Sequence, residues 1–107
     1  MTKLEGEIGL ARRGGFITFG EDLMYKLERK RVCLVLLSKD CGWRFERDVN
    51  SVIGQTTLIK VNFDQSELGK LIDARPLNAI GITNQGLASK IQETLRKEGE
   101  ADVEIQK

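Results

Sequence analysis

Apolar residues along this chain show two different patterns, one typical of helices and one typical of strands, and glycines and polar residues separate the segments that show them. Leu4, Ile8 and Ala11 recur at the i, i+4, i+7 spacing of one helix face. Residues 32–37 are continuously apolar, which indicates a strand buried on both faces at the centre of a sheet. The same patterns along the chain predict helices over residues 3–13 and 20–28 and after Asp40, Asp64 and Asn84, and strands over residues 16–19, 32–37, 57–61 and 77–82.

Polar residues mark where the last three helices begin. Asp40 is expected to cap the third helix, with Phe45 and Val49 on its buried face. Asp64 opens an Asp-Gln-Ser-Glu segment that resembles a capping box. Asn84 is expected to cap the final helix.

Helices and strands alternate in the order α-β-α-β-α-β-α-β-α. Such alternation predicts one α/β sheet with helices on both faces. No linker, internal repeat or low-complexity segment divides the sequence, so residues 1–98 are expected to form a single domain. Residues 99–107 are rich in acidic side chains and are expected to be a frayed tail.

Composition narrows the range of functions. The chain has 107 residues and a formal net charge of +1, so bulk charge indicates neither a nucleic-acid nor a membrane partner. It contains no histidine and only two cysteines, which excludes histidine-based triads, histidine zinc sites and four-cysteine metal sites. The longest apolar run is too short to span a bilayer and the first residues do not resemble a signal peptide. We therefore expect a cytoplasmic protein without a metal or cofactor.

Residues suited to catalysis are sparse. Cys33 lies in the predicted central strand and is expected to be inert core, whereas Cys41 is expected to be more exposed and would need a nearby cation to become reactive. Glu21 and Asp22 fall in the first turn of the second helix, where carboxylates ordinarily stabilise the helix dipole. Residues 81–86 match Gly-x-x-x-x-Gly, but the Lys and the Ser or Thr of a P-loop do not follow. We therefore expect a protein that is not an enzyme.

Basic residues cluster although the whole chain is nearly neutral. Residues 12–31 contain six basic and three acidic side chains, whereas residues 93–107 contain three basic and five acidic ones. A chain polarised in this way can present a positive face to a nucleic-acid backbone. The alternative is an ordinary solvated helix surface with i, i+4 pairs such as Asp22 and Lys26.

Several segments, taken in order, resemble one known family. They are Ile8 to Gly14, Gly20 to Leu23, Val32 to Asp40, Glu67 to Ile72 and Ala79 to Ala88. Together they resemble the ribosomal protein L-seven-Ae/L-thirty-e family, and in particular its small bacterial members, over most of residues 4–96. The resemblance implies the L-thirty-e-like fold, a three-layer α-β-α sandwich with a four-stranded mixed sheet. It also implies RNA binding, with kink-turn RNA as the usual ligand.

The resemblance points to the start of the second helix as an RNA contact. Kink-turn binders carry a Gly-x-Asn-Glu-x-x-Lys segment there, and this chain has Gly20-Glu-Asp-Leu-Met-Tyr-Lys26. Asp22 replaces the asparagine, and a carboxylate can accept from a guanine N–H but cannot donate to its O6. Leu23 replaces the glutamate, offers no polar contact and has the spacing of a core residue.

The resemblance implies a second contact in the loop before the last strand. There Ala74 and Leu77 would pack against an extruded nucleotide, and Arg75 would pair with a phosphate. The expected RNA-binding surface comprises Arg12, Arg13, Gly20, Glu21, Asp22, Lys26, Arg29, Ala74 and Arg75. Because most of these contacts would be made to phosphates, we expect weak and salt-sensitive binding.

A second hypothesis keeps the fold without RNA recognition. A protein-interaction module would use an exposed apolar edge, formed by Trp43 and Phe45 of the third helix. The ordinary interpretation of Trp43 is instead a core residue. The departures at Asp22 and Leu23 favour this second hypothesis. Under either hypothesis we expect a monomer whose partner is a structured RNA, a ribosomal protein or another protein, and not a membrane.

Overall fold

The computed structural model of the chain describes residues 3–98 and 101–105. Within these residues it contains five helices and five strands. The helices are α1 (Lys3–Arg13), α2 (Gly20–Glu28), α3 (Trp43–Val52), α4 (Gln65–Lys70) and α5 (Gln85–Glu98), and the strands are β1 (Ile17–Thr18), β2 (Leu34–Leu37), β3 (Thr57–Val61), β4 (Ala79–Ile82) and β5 (Ala101–Ile105). The predicted order of nine elements is confirmed up to the end of α5.

The strands form one mixed sheet in the order β1-β4-β2-β3-β5. β2 pairs in parallel with β3 and antiparallel with β4, and it is buried along its whole length. The continuous apolar run therefore forms the central strand, as predicted, because neither of its faces meets water.

Two packed layers of helices cover the sheet. Alternate side chains of a strand point to opposite faces, and the buried residues divide accordingly into two clusters. Leu34 and Leu36 belong to the cluster that α1, α4 and α5 cover, whereas Val35 and Leu37 belong to the cluster that α2 and α3 cover. The three-layer α-β-α sandwich is thereby confirmed, with α2 and α3 side by side on one face.

The sequence misses one strand. Of the predicted frayed tail over residues 99–107, residues 101–105 instead form β5, which pairs antiparallel with β3 in a register that aligns Leu58 with Ile105. The other four residues of this prediction lie outside the described residues. The physical reason is that β3 would otherwise present an unpaired edge, and an edge strand of alternating residues satisfies its backbone groups. The sheet thus has five strands instead of the four that the resemblance implied.

The capping predictions for α4 and α5 are confirmed. Asp64 Oδ1 accepts a hydrogen bond from the Glu67 N–H at 2.8 Å, and Glu67 Oε1 accepts one from the Asp64 N–H at 3.0 Å, which completes the capping box. Asn84 Oδ1 accepts a hydrogen bond from the Leu87 N–H at 2.9 Å. Caps of this kind typically contribute about 1 kcal/mol each.

The capping prediction for α3 is wrong. α3 begins at Trp43 after Gly42, so Asp40 lies too far upstream to reach its first turn. Asp40 Oδ1 instead accepts a hydrogen bond from the backbone N–H of Gln65, at 2.9 Å, at the start of α4. Asp40 therefore joins the end of β2 to α4 rather than starting its own helix.

Trp43 is not a core residue. It is 67% exposed, whereas Phe45 is half-buried against the cluster that α2 and α3 share. Consecutive helix residues are about 100° apart, so Trp43 and Phe45, two positions apart, face nearly opposite directions.

Within the described residues, no helix has the length and apolar character that crossing a membrane requires.

Candidate nucleic-acid interface

The start of α2 exposes backbone donors. Gly20 has a φ of +63°, in the left-handed region that glycine adopts without strain. Phe19, which precedes it in extended conformation, has no side-chain acceptor with which to cap the helix. The first N–H groups of a helix have no partner within the helix, so those of α2 are available to an anionic ligand.

The structure brings this helix start together with the loop before β4. Phe19, Gly20, Glu21, Asp22 and Arg75 line one shallow depression, which we call the α2 groove. The depression beside it is lined by Gly20, Arg75, Phe45 and residues 76–79. Two segments more than fifty positions apart in sequence therefore form one continuous surface.

Gly69 in α4 holds the Arg75 segment in place. A Cβ built on Gly69 would collide with the backbone carbonyl of Arg75, so only glycine fits this close approach. The Gly69 carbonyl also accepts a hydrogen bond from the Ala74 N–H at 2.9 Å. No local sequence pattern indicates this role, because the contact joins a helix to a loop that follows it.

Of the two apolar residues predicted to pack against a nucleotide, one lies in the core. Leu77 is only 6% exposed and packs in the core cluster beneath α4 and α5, so it cannot contact a nucleotide. Ala74 is half-buried against the same cluster. Ala74 keeps part of its surface accessible beside the exposed Arg75, so its RNA contact stays a prediction.

Arg12 reaches the same loop from the end of α1. Its Nη1 lies 3.2 Å from Asp73 Oδ2, and both side chains are largely exposed. An exposed pair of this kind contributes at most about 1 kcal/mol, so a phosphate can displace Asp73 at little cost. Arg13, next along the chain, is also exposed in the last turn of α1.

Further along α2, the basic residues extend the surface away from the groove. Asp22 and Lys26, at i and i+4, share one stripe of α2, and Arg29 follows directly after the last residue of the helix. At a rise of 1.5 Å per residue, Lys26 and Arg29 lie roughly 9 and 14 Å along the axis from Gly20. The Arg29 guanidinium rests 3.6 Å from the centroid of the Tyr25 ring, a cation–π contact that the i, i+4 spacing could have indicated.

The prediction that Leu23 is a core residue is confirmed. It is fully buried in the cluster beneath α2 and α3. Across from it, a Cβ built on Gly81 would lie 2.5 Å from Leu23 Cδ1, so the glycine makes room for the leucine. The position at which kink-turn binders carry glutamate therefore faces the sheet in this chain.

The two cysteines are not activated. Burial raises the pKa of the Cys33 thiol. Burial also raises the pKa of Cys41, and the Glu46 carboxylate, to which the Cys41 thiol donates at 3.8 Å, raises it further, whereas Lys60 opposes this effect. A reactive thiol needs a lowered pKa, so neither site favours nucleophilic chemistry.

Within the described residues, no cluster of three or more acidic or cysteine side chains is placed to hold a metal ion.

Comparison with known proteins bears on the fold. No protein-family model and no curated protein matches the chain. A solved structure of a protein with unknown function from Bacillus halodurans C has a similar fold, with a TM-score of 0.75 and 25% sequence identity. The similarity covers 90% of this chain and 99% of that one, so the whole sandwich is shared.

Proposed function

We propose that this chain is a non-enzymatic protein that binds structured RNA, of the kink-turn or ribosomal kind, through the α2 groove and the basic residues around it. The observation that carries the proposal is the meeting of Gly20, at the open start of α2, with Arg75 in a single depression. Backbone N–H groups at a helix start and an adjacent guanidinium both bind phosphate. Cytoplasmic localisation belongs to the same proposal.

The charges around the groove favour backbone contacts over base recognition. Five basic residues surround it or extend from it, against three acidic ones; the basic residues are Arg12, Arg13, Lys26, Arg29 and Arg75, and the acidic ones are Glu21, Asp22 and Asp73. If about three phosphates are neutralised, affinity falls roughly 20- to 40-fold between about 50 and 200 mM salt. Binding should therefore be weak and strongly salt-dependent.

The carboxylate of Asp22 limits how specifically the α2 groove can recognise a base. It is exposed and lines the groove, so it occupies a position from which a nucleotide edge can be read. As a carboxylate it accepts from guanine N1–H or N2–H but offers no donor to O6. The proposal therefore predicts a modest preference for kinked over straight RNA.

The alternative of a protein-interaction module is supported by one observation, the exposure of Trp43. The apolar edge that it requires is incomplete, because Phe45 is half-buried in the core instead of joining Trp43 at the surface. A single exposed indole is a small apolar surface, whereas protein-binding patches are contiguous. RNA binding is therefore the better supported function.

A titration of labelled kink-turn RNA with a charge-reversed variant tests the proposal. Lys26→Glu with Arg75→Glu should abolish binding, because two cations beside the RNA become anions. The matched control is Lys3→Glu with Lys90→Glu, which changes the net charge equally at two residues that line a separate depression with Glu7 and Glu93. Equal loss in both double variants would mean that net charge alone drives binding, and unchanged affinity in the first would refute this surface.

A further inference from the structure

The chain's single tryptophan lies exposed at the first position of α3. Trp43 follows Gly42 and is 67% exposed. An indole that stays two-thirds exposed forgoes much of the stabilisation that full burial would bring. Neither of the two core clusters includes it.

Two arginines accompany the ring. The guanidinium carbon of Arg44 lies 5.5 Å from the centroid of the Trp43 ring, and that of Arg47 lies 5.2 Å from it. Both distances are within the range of cation–π attraction. The Arg47 side chain stays 65% exposed, with its Nε 3.8 Å from an Asp48 oxygen, so it is available to a ligand.

The surroundings of Trp43 suit a nucleotide better than an apolar protein surface. On the exposed face of α3 the indole has charged neighbours, since Arg44, Arg47 and Asp48 are all exposed. The other large exposed hydrophobic residues among those described are Leu10, Phe19 and Tyr25, which lie on or next to other helices. An aromatic ring flanked by cations is the arrangement on which unpaired bases stack while their phosphates are neutralised.

The α3 helix lies between this ring and the depression beside the α2 groove. Phe45, two residues after Trp43, lines a depression together with Gly20 and Arg75. Two residues correspond to about 3 Å along a helix axis, so the first turn of α3 borders the groove. Because Trp43 lies about 200° around the helix from Phe45, its ring belongs to a separate surface of α3.

We propose that Trp43, Arg44 and Arg47 form a second RNA contact, at which an unpaired nucleotide stacks on the indole and the two guanidinium groups bind its flanking phosphates. This inference rests on the proposed function in taking RNA as the ligand. It concerns a separate surface, on α3, and a different RNA feature, an unpaired extension rather than the kinked duplex.

The intrinsic fluorescence of Trp43 provides a site-specific test, because the chain has no other tryptophan. The probes are a blunt labelled kink-turn RNA, the same RNA with an unpaired extension of about six adenosines at either end, and the same extensions without bases. The base-free extension keeps the phosphates and removes stacking. We expect the adenosine extension to quench Trp43 emission when it is attached at one of the two RNA ends. We expect the protein to bind that RNA about tenfold more tightly than the RNA with the base-free extension at the same end.

Substitutions at Trp43 test whether the gain in affinity comes from stacking on its aromatic ring. Trp43→Leu should remove the tenfold advantage of the adenosine extension, whereas Trp43→Phe should keep most of it, because phenylalanine still stacks. Neither change should alter the affinity for blunt RNA. Since Trp43 is exposed, both variants should fold, and circular dichroism checks that they do.

The outcomes distinguish this inference from the proposed function. Binding of blunt RNA without quenching or any gain from the extensions would overturn the second contact and leave the α2 groove intact. Quenching by single-stranded adenosine RNA without binding of blunt RNA would support the Trp43 contact and refute the groove. A blue shift of Trp43 emission with rising protein concentration, with no response to RNA, would overturn the inference and assign this surface to self-association.

Discussion

Replacing Asp22 with asparagine should convert a weak RNA-binding surface into a kink-turn-selective one. Asp22 is exposed and lines the α2 groove with Gly20 and Arg75. Asn presents the same shape but adds an N–H donor, so it can both donate to guanine O6 and accept from N1–H. The change also removes a negative charge that opposes nearby phosphates.

The two effects differ in size and in RNA dependence. A restored bidentate base contact contributes on the order of 1–3 kcal/mol, or roughly 5- to 150-fold in affinity. Removing one exposed charge about 5 Å from a phosphate contributes about 1 kcal/mol or less, and salt screens it. Loss of the favourable interaction with the helix dipole should lower the free energy of unfolding by less than about 1 kcal/mol.

Fluorescence anisotropy of a kink-turn RNA and of a straight duplex of equal length measures both effects. Glu21→Gln is the matched control, because it removes the same charge from the same groove at a position with no assigned base contact. We expect Asp22→Asn to strengthen kink-turn binding by at least about fivefold more than duplex binding. Glu21→Gln should strengthen both equally. Equal gains on both RNAs for Asp22→Asn, or none, would refute the assignment of Asp22 to base recognition.

Three further predictions concern the core, the loop and the thiols. Leu23→Glu, which restores the residue type of kink-turn binders, should destabilise the fold by at least about 3 kcal/mol in urea unfolding instead of improving RNA binding, because it buries a charge in the core; a stable variant would contradict this placement. Gly69→Ala should displace the Arg75 backbone, weaken RNA binding and lower the free energy of unfolding by about 1–3 kcal/mol, whereas wild-type affinity would show that the loop adapts. Cys41 alkylation should be slow at neutral pH and accelerate as the pH rises towards its raised pKa, and Glu46→Gln should lower that pKa and speed the reaction at a given pH; an unchanged rate would rule out the influence of Glu46.

Local pattern was sufficient for most of the fold. The apolar spacing of α1, the continuous run of β2 and the capping box at Asp64 each depend on residues close in sequence, and each was predicted correctly. β5 was missed because its stability depends on pairing with β3, about forty residues earlier. Charge in the surrounding segment suggested a tail, although residues 101–105 alternate apolar and acidic residues as a strand does.

The candidate site was less accessible to sequence reasoning. Its central feature, the approach of Arg75 to Gly20, joins distant segments and was expected only from the family resemblance. Leu77 was assigned to the surface because a loop position gives no information about burial. The exposure of Trp43 could have been found, since a residue two positions before Phe45 lies about 200° around the helix from it.

The most direct test of the account is a titration of labelled kink-turn RNA against a straight duplex of the same length, at two salt concentrations. RNA binding through the α2 groove predicts measurable binding at low salt, a modest preference for the kinked RNA and a loss of affinity of roughly 20- to 40-fold between about 50 and 200 mM salt. Absence of binding to either RNA at low salt would contradict it and would favour the protein-interaction alternative.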